Sequence, residues 1–416
     1  MLSTAELTTK PNLQPPHQTE AVYLTADETL VQFVIDYYYR KYSQYFSHSG
    51  QDKELGVGYE YSIPSSPKLN LAPLPPQFQV QSESSNVLCT VDTLQLALTF
   101  PDRKVSYTAR VDMLATCFLA GPRLVMKVDK AVATQDGQVD PAASKILEKL
   151  VVPVLVKWLE GILLPELTQV LGDQFKAVAT SATAAGDQIN SYARLIYGDQ
   201  VTRLGMALAP VDMTPVAGAG CVRAILREDA LNIAAAALTP KDPFKAEEKA
   251  KYSIFSGEVE AKLWIKDPSV NITAGRVVCK VRLKASAKVS GKVGIVEESI
   301  KLSDECEVEA PFQVKPLKGG EKVAISLALD GVNPDLKLKG DWGPLDFARK
   351  ELNKIVIDQV EDALKKAMKY LSSLDIVVFD LTKLAKSAGL DVMVTATDVG
   401  FGDETLYGQF TLRERS

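Results

Sequence analysis

Histidine is nearly missing from this chain: 416 residues carry two, His17 and His48, both in polar N-terminal stretches rich in proline, glutamine and serine. A Ser-His-Asp or Cys-His site needs a positioned imidazole and a catalytic zinc usually takes two or three, so hydrolase and zinc-enzyme chemistry are disfavoured. The five cysteines, Cys89, Cys117, Cys221, Cys279 and Cys306, are odd in number, far apart and never spaced as CxxC. They read as reduced, mostly buried thiols, neither a disulfide framework nor a zinc site. Long hydrophobic runs are absent too. The most apolar region, 146–164, is broken by Glu148, Lys149, Lys157 and Glu160, so no membrane-spanning helix is expected. The opening Met-Leu-Ser-Thr-Ala-Glu has no basic start leading into an apolar run, unlike a secretory signal, and a cytoplasmic location is the expectation.

Positive charge is short: 47 Lys and Arg against 52 Asp and Glu leave a net −5, the wrong sign for neutralising phosphates, and no nucleic-acid partner is expected. Gly218-Ala-Gly220-Cys-Val-Arg223 puts arginine where a dinucleotide fingerprint needs a third small residue, and it reads as a linker. Glu305, Glu307 and Glu309 alternate along a strand-like stretch, which sends all three to one solvated face instead of making an acid/base pair. Neither an enzyme nor a cofactor or metal site is expected.

What is there is length, enough for two to three domains, and an internal echo. Tyr197-Gly-Asp-Gln aligns with Phe401-Gly-Asp-Glu at an offset of 204. The same offset carries a helical pattern over 141–171 onto 345–375, where Leu345, Ala348, Leu352, Ile355, Val356 and Val360 recur at three and four. Leu24-Thr-Ala-Asp27 and Leu226-Arg-Glu-Asp229 each open a helix with acids in its first turn, at an offset of 202. In the first long helix Ile146, Leu147, Leu150, Val151, Val154, Leu155, Trp158, Leu159 and Ile162 form a wide apolar face, and Pro153 and Pro165 are placed to kink or end it.

Between the helices runs two-residue alternation. Val277, Cys279, Val281, Leu283, Ala285, Ala287 and Val289 point one way, with Lys280, Arg282, Lys284 and Lys288 the other. Similar patterns cover 259–265, 306–314 and 323–329, and in the first half 94–100 turns at Pro101-Asp-Arg-Lys104 into 105–117. The stretch 49–77, with Pro64, Pro67, Pro73, Pro75 and Pro76, reads as irregular or extended. A strand of about thirteen residues spans about 43 Å and a helix of about twenty-seven spans about 40 Å. A long twisted sheet with one apolar face is therefore expected to curl around the helix of matching length. The reading divides the chain into a tail, 1–20, a first domain, 21–212, a linker, 213–221, and a second domain, 222–416, with both domains repeating one α+β fold.

Helix, curled antiparallel sheet, long amphipathic helix and closing strands, twice over, resemble the tubular lipid-binding superfamily of bactericidal/permeability-increasing and lipid-transfer proteins. The order is also similar to related domains of bacterial toxin-cluster accessory proteins. The most specific piece is Leu226-Arg-Glu-Asp-Ala-Leu-Asn-Ile-Ala-Ala-Ala-Ala-Leu238, similar to the short helix opening the second domain of the animal proteins. The resemblance implies two tandem tubular domains and non-enzymatic binding or transfer of a lipid, fatty acid or other apolar ligand between sheet and helix. The groove candidates are Leu150, Val154, Leu155, Trp158, Leu159 and Ile162 in the first half and Val281, Leu283, Leu352 and Ile355 in the second. It leaves open contact with a membrane surface and a protein partner. The alternative is a protein-interaction or toxin-associated scaffold of the same fold without lipid.

Overall fold

A computed structural model describes residues 22–414 except 72–73, 76–84, 122, 138, 174, 176, 186–187, 198–199, 202–221, 253–254, 274, 318–319, 330–331 and 403. The expected tail 1–20, the linker 213–221, His17 and Cys221 lie outside the described residues.

The first half opens with β1 (Val22–Asp27) and α1 (Glu28–Lys41). Asp27 starts the helix because its carboxylate accepts from Leu30 N at 3.0 Å, and Arg40 and Lys41 sit in the last turn, where the helix dipole favours cations. β2 (Ser47–Asp52), β3 (Val57–Ser62), β4 (Lys68–Leu71), β5 (Val87–Thr99), β6 (Lys104–Ala120) and β7 (Arg123–Gln135) form an antiparallel sheet in the order β2-β3-β5-β6-β7, with β4 also on β5. The segment 49–77, read from its prolines as irregular or extended, holds most of β2 and all of β3 and β4, the extended alternative. Pro64 and Pro67 fall between strands, where a missing N–H breaks no ladder.

The long helix of this half is α2 (Pro141–Ile146), a π turn (Leu147–Val151) and α3 (Val152–Glu160). Pro153 has no N–H to give and its ring crowds the carbonyl four residues back, so the wider π turn forms just before it. The helix stops at Gly161, short of the expected 171, and residues 167–170 make a separate 3-10 turn. β8 (Ala177–Ala185), β9 (Gln188–Tyr197) and β10 (Gln200–Val201) complete the half.

The second half runs through β11 (Val222–Arg227), α4 (Glu228–Leu238), β12 (Phe244–Tyr252), β13 (Phe255–Thr273), β14 (Arg276–Val293), β15 (Val296–Leu317) and β16 (Lys322–Leu327). A 3-10 segment (Gly343–Ala348) leads into α5 (Arg349–Ser373), followed by β17 (Asp375–Asp380), α6 (Leu381–Ser387), β18 (Val392–Gly402) and β19 (Thr405–Glu414). Strands β12 to β17 pair in sequence order, and α5 lies in the curl of this sheet against β12, β13, β14 and β16. Leu352, Val356, Val360, Ala363, Ala367 and Leu371 face inward at helical spacing. On the outer face Glu305, Glu307 and Glu309 are exposed, and each stands opposite a cation: Lys284, Arg282 and Lys280. Among the described residues no helix is long and apolar enough to cross a membrane.

A third sheet, in the order β10-β9-β1-β11-β19-β18 with β8 on β9, joins the halves. In its middle β1 and β11 run antiparallel, with Val22 opposite Leu226, Leu24 opposite Ala224 and Ala26 opposite Val222. Strands 200 residues apart thus meet about an approximate twofold at Leu24 and Ala224. The helices that follow repeat one device. Glu28 accepts from Leu71 N at 2.9 Å, and Gln32 accepts from Leu69 N at 2.8 Å and donates to Pro67 O at 3.0 Å. Glu228 accepts from Ile272 N at 2.7 Å, and Asn232 accepts from Val270 N at 2.6 Å and donates to Val270 O at 3.0 Å. In both halves the helix side chains stand in for a neighbouring strand.

This corrects the sequence echoes. Glu28 corresponds to Glu228, so the helix-opening echo is two residues out of register. The Tyr197 and Phe401 echo joins non-equivalent strands: β1 pairs β9 as β11 pairs β19, so β9 corresponds to β19, whereas Phe401 lies near the end of β18. Asn232→Ala, which strips two backbone groups of their partners, is expected to lower the unfolding free energy by about 1–3 kcal/mol in urea titrations, and Gln32→Ala by a similar amount.

Candidate functional site: an apolar cleft beside a strand bulge

The site is built from a fault in β13. Lys266 faces Arg282 and Ser269 faces Lys280, so Asp267 and Pro268 together stand opposite Val281. Asp267 takes φ +46°, a left-handed conformation rare outside glycine, and Pro268 offers no N–H to the ladder. Such a bulge bends the strand and re-aims its side chains. Buried positions accordingly switch from odd (Val259, Ala261, Leu263, Ile265) to even (Val270, Ile272).

At the bulge the sheet parts from the helices, leaving a cleft between α4, the inner face of β13 to β15 and the end of α5. Ala235 and Leu238 form one wall, Ile265, Pro268, Cys279, Val281 and Phe312 the floor, and Tyr370, Leu371, Leu374 and Ile376 the other wall. Its polar groups are already engaged: Tyr370 OH donates to Leu238 O at 2.8 Å and Thr239 Oγ1 to Ala235 O at 2.8 Å. Nothing in the lining is left to polarise a carbonyl or relay a proton. The enclosed volume is about 30 Å³, room for one or two waters and well below the ~300 Å³ of the smallest ordinary ligand pockets. Admitting an acyl chain requires side chains such as Phe312, Tyr370 and Leu374 to swing aside.

Cys279 is the one thiol in the lining, and burial pushes its pKa up to about 11, so it is protonated and a poor nucleophile at neutral pH. Burial likewise pushes Cys89 and Cys117 up to about 12. Cys89, Cys117, Cys279 and Cys306 are all free; Cys279 stands opposite Ala310, and Cys306 opposite Leu283. Among the described residues no cluster of three or more His, Cys, Asp or Glu could hold a metal.

Of the ten groove residues expected from sequence, Val281 lines the cleft. Leu283 lies next along the same face of β14, fully buried, and Leu352 and Ile355 belong to earlier turns of α5, the first buried and the second half-buried. Leu155, Trp158, Leu159 and Ile162 are buried in the first half, with Leu150 and Val154 half-buried beside them. The Trp158 ring meets Phe46 edge-on at 4.8 Å, and its Nε1–H is buried without an acceptor. The walls from α4 and the end of α5 escaped the sequence reading. Their signal was the switch of parity across Asp267-Pro268.

Two solved structures are similar over nearly the whole chain. Lipopolysaccharide binding protein shares 11% identity at a TM-score of 0.38, covering 95% of this chain and 99% of its own. P47 of Clostridium botulinum E1 shares 11% at 0.39, with the same coverages. Both fall within the groups that the sequence resemblance named. No family model matches the chain and no curated protein matches it. At 11% identity and TM-scores below 0.4 the likeness speaks to neither ligand nor activity.

At the end of β17, Asp380 caps α6 and is buried, with its carboxylate 2.5 Å from Lys322 Nζ and 2.6 Å from Thr382 Oγ1. Burial alone would raise its pKa; the hydrogen bonds from Lys322 and Thr382 outweigh it and hold the carboxyl below its ordinary value. A carboxyl depressed in the folded state gives stability that is complete above its unfolded pKa, about 3.9, and lost as pH falls through the folded value. The destabilisation caused by Asp380→Asn is therefore expected to be largest above about pH 5 and to shrink below about pH 4 in urea titrations.

Proposed function

We propose that the chain is a non-enzymatic carrier of an apolar, lipid-like ligand, held between curled sheet and helix in domains spanning 21–212 and 222–416. The cleft beside Val281 carries this reading. Its walls are largely hydrocarbon, its hydroxyls are bonded to backbone carbonyls, and it lies between α4, the end of α5 and a bulged strand. A fatty acid or a single phospholipid chain suits such a lining, with the polar end left near solvent. The first half contributes the groove candidates around Trp158, whose unpaired indole N–H would suit a ligand oxygen. A cytoplasmic location remains part of this reading.

The small enclosed volume favours a second reading, a scaffold of the same fold whose cleft stays shut. One set of measurements separates the two. Organic extraction and mass spectrometry of the purified protein should yield stoichiometric lipid, and added oleate should slow modification of Cys279 by a small thiol reagent in a variant lacking the other cysteines. Val281→Phe should weaken capture of a fluorescent acyl probe by about tenfold or more, at an overpacking cost of about 1–3 kcal/mol. Leu283→Phe, of comparable cost on the same strand but outside the cleft, should leave capture largely intact. A protein that yields no lipid and binds the probe no better than an unrelated acidic protein of similar size would overturn the carrier reading and leave the scaffold.

A further inference from the structure

At the far end of the second half, β12 turns into β13 and β14 into β15 side by side, because Tyr252, Phe255, Val293 and Val296 stand in one row across four strands. This end is firmly built. Gly257 and Gly291 face each other so closely that a Cβ on Gly257 would lie 2.2 Å from Ser290 O and one on Gly291 2.5 Å from Gly257 Cα. The ring of buried Phe255 covers Gly257. The two outer members of this row are in water, Val296 53% and Tyr252 38% exposed, and past it Ile295 is 97% exposed. Gly294, at φ +64°, makes the turn, so isoleucine occupies a tip position where a hairpin is normally served by a small polar residue. The next row inward on the outer face reads Lys251, Ser256, Lys292, Glu297, with Lys292 and Glu297 3.9 Å apart.

We infer that this tip is a membrane-contact site, in which Ile295 and Val296 enter a lipid surface, Tyr252 lies at headgroup level and Lys251 and Lys292 reach the phosphates. Size decides the partner class. The tip row spans three strand spacings, about 14 Å, too small a patch for the ~800 Å² per partner of a stable protein interface. A lipid surface demands no matching shape, since each inserted apolar side chain contributes separately. Tyrosine and lysine behind an apolar tip are the residues that settle at the boundary of hydrocarbon and headgroups. This inference does not rest on the cleft and can fail or stand without it.

The test is flotation of the full chain with phosphatidylcholine vesicles, with and without phosphatidylglycerol. Ile295 touches so little that Ile295→Asp should leave the melting temperature unchanged while cutting the vesicle-bound fraction at least about tenfold on both vesicle types. Lys251→Glu with Lys292→Glu should weaken binding mainly to vesicles containing phosphatidylglycerol, and less so at high salt. Ile295→Trp should show blue-shifted emission, quenched by brominated lipid. Failure of the native chain to float with either vesicle, or flotation that survives Ile295→Asp, overturns the inference. So does an oligomer that Ile295→Asp dissociates in a chain that ignores vesicles, which would give the tip to a second copy.

Discussion

Two six-residue strands hold the molecule together. β1 and β11 hydrogen-bond to each other and, on their outer sides, to β9 and β19, so each closes its own half and joins it to the other. Val22, Leu24, Ala26, Val222, Ala224 and Leu226 are all buried in this seam. From its ends α1 and α4 leave in opposite directions, each gripping a strand through a glutamate and an amide. Further contacts lock the joint: Tyr38 OH donates to Ala388 O at 3.2 Å, Gly172 N to Val378 O at 3.0 Å and Glu166 N to Ser387 Oγ at 2.9 Å. Exposed ion pairs Arg40–Glu414 and Lys383–Asp173 add little beyond these.

Period-two alternation made β13, β14, β15 and the β5–β6 hairpin legible in the sequence, because one face is hydrocarbon and the other charged. The three-and-four spacing did the same for α5. Where a pattern is short or broken, as in β2 to β4, composition left irregular and extended chain both open, and the partners supplied by β3 and β5 make strands of it. The groove was legible only in part. Val281 stood out as one of a regular row, but whether a row meets packed side chains or a gap depends on what faces it, and that is set by the bulge and by two helix ends remote in sequence.

The halves differ in where their sheets are faulted. In β5 the extra residues Asp92 and Thr93 stand opposite Arg110, an exposed outer-face residue, so the irregularity is met by solvent. In β13 they stand opposite Val281, which points inward. The same device therefore meets solvent in the first half and the floor of the cleft in the second. On α4 the small side chain of Ala235 helps keep that side from closing over.

The central seam also dictates the order in which the chain can complete itself during synthesis. β1 leaves the ribosome before its partners and must wait for β9, more than 160 residues later, and then for β11, while β11 waits for β19. Until then each presents an unpaired apolar edge, the feature that drives misassembly of nascent chains. With partners this distant, folding should be slow for a protein so rich in strands. Strand β19, Thr405–Glu414, shields the seam that β1 began.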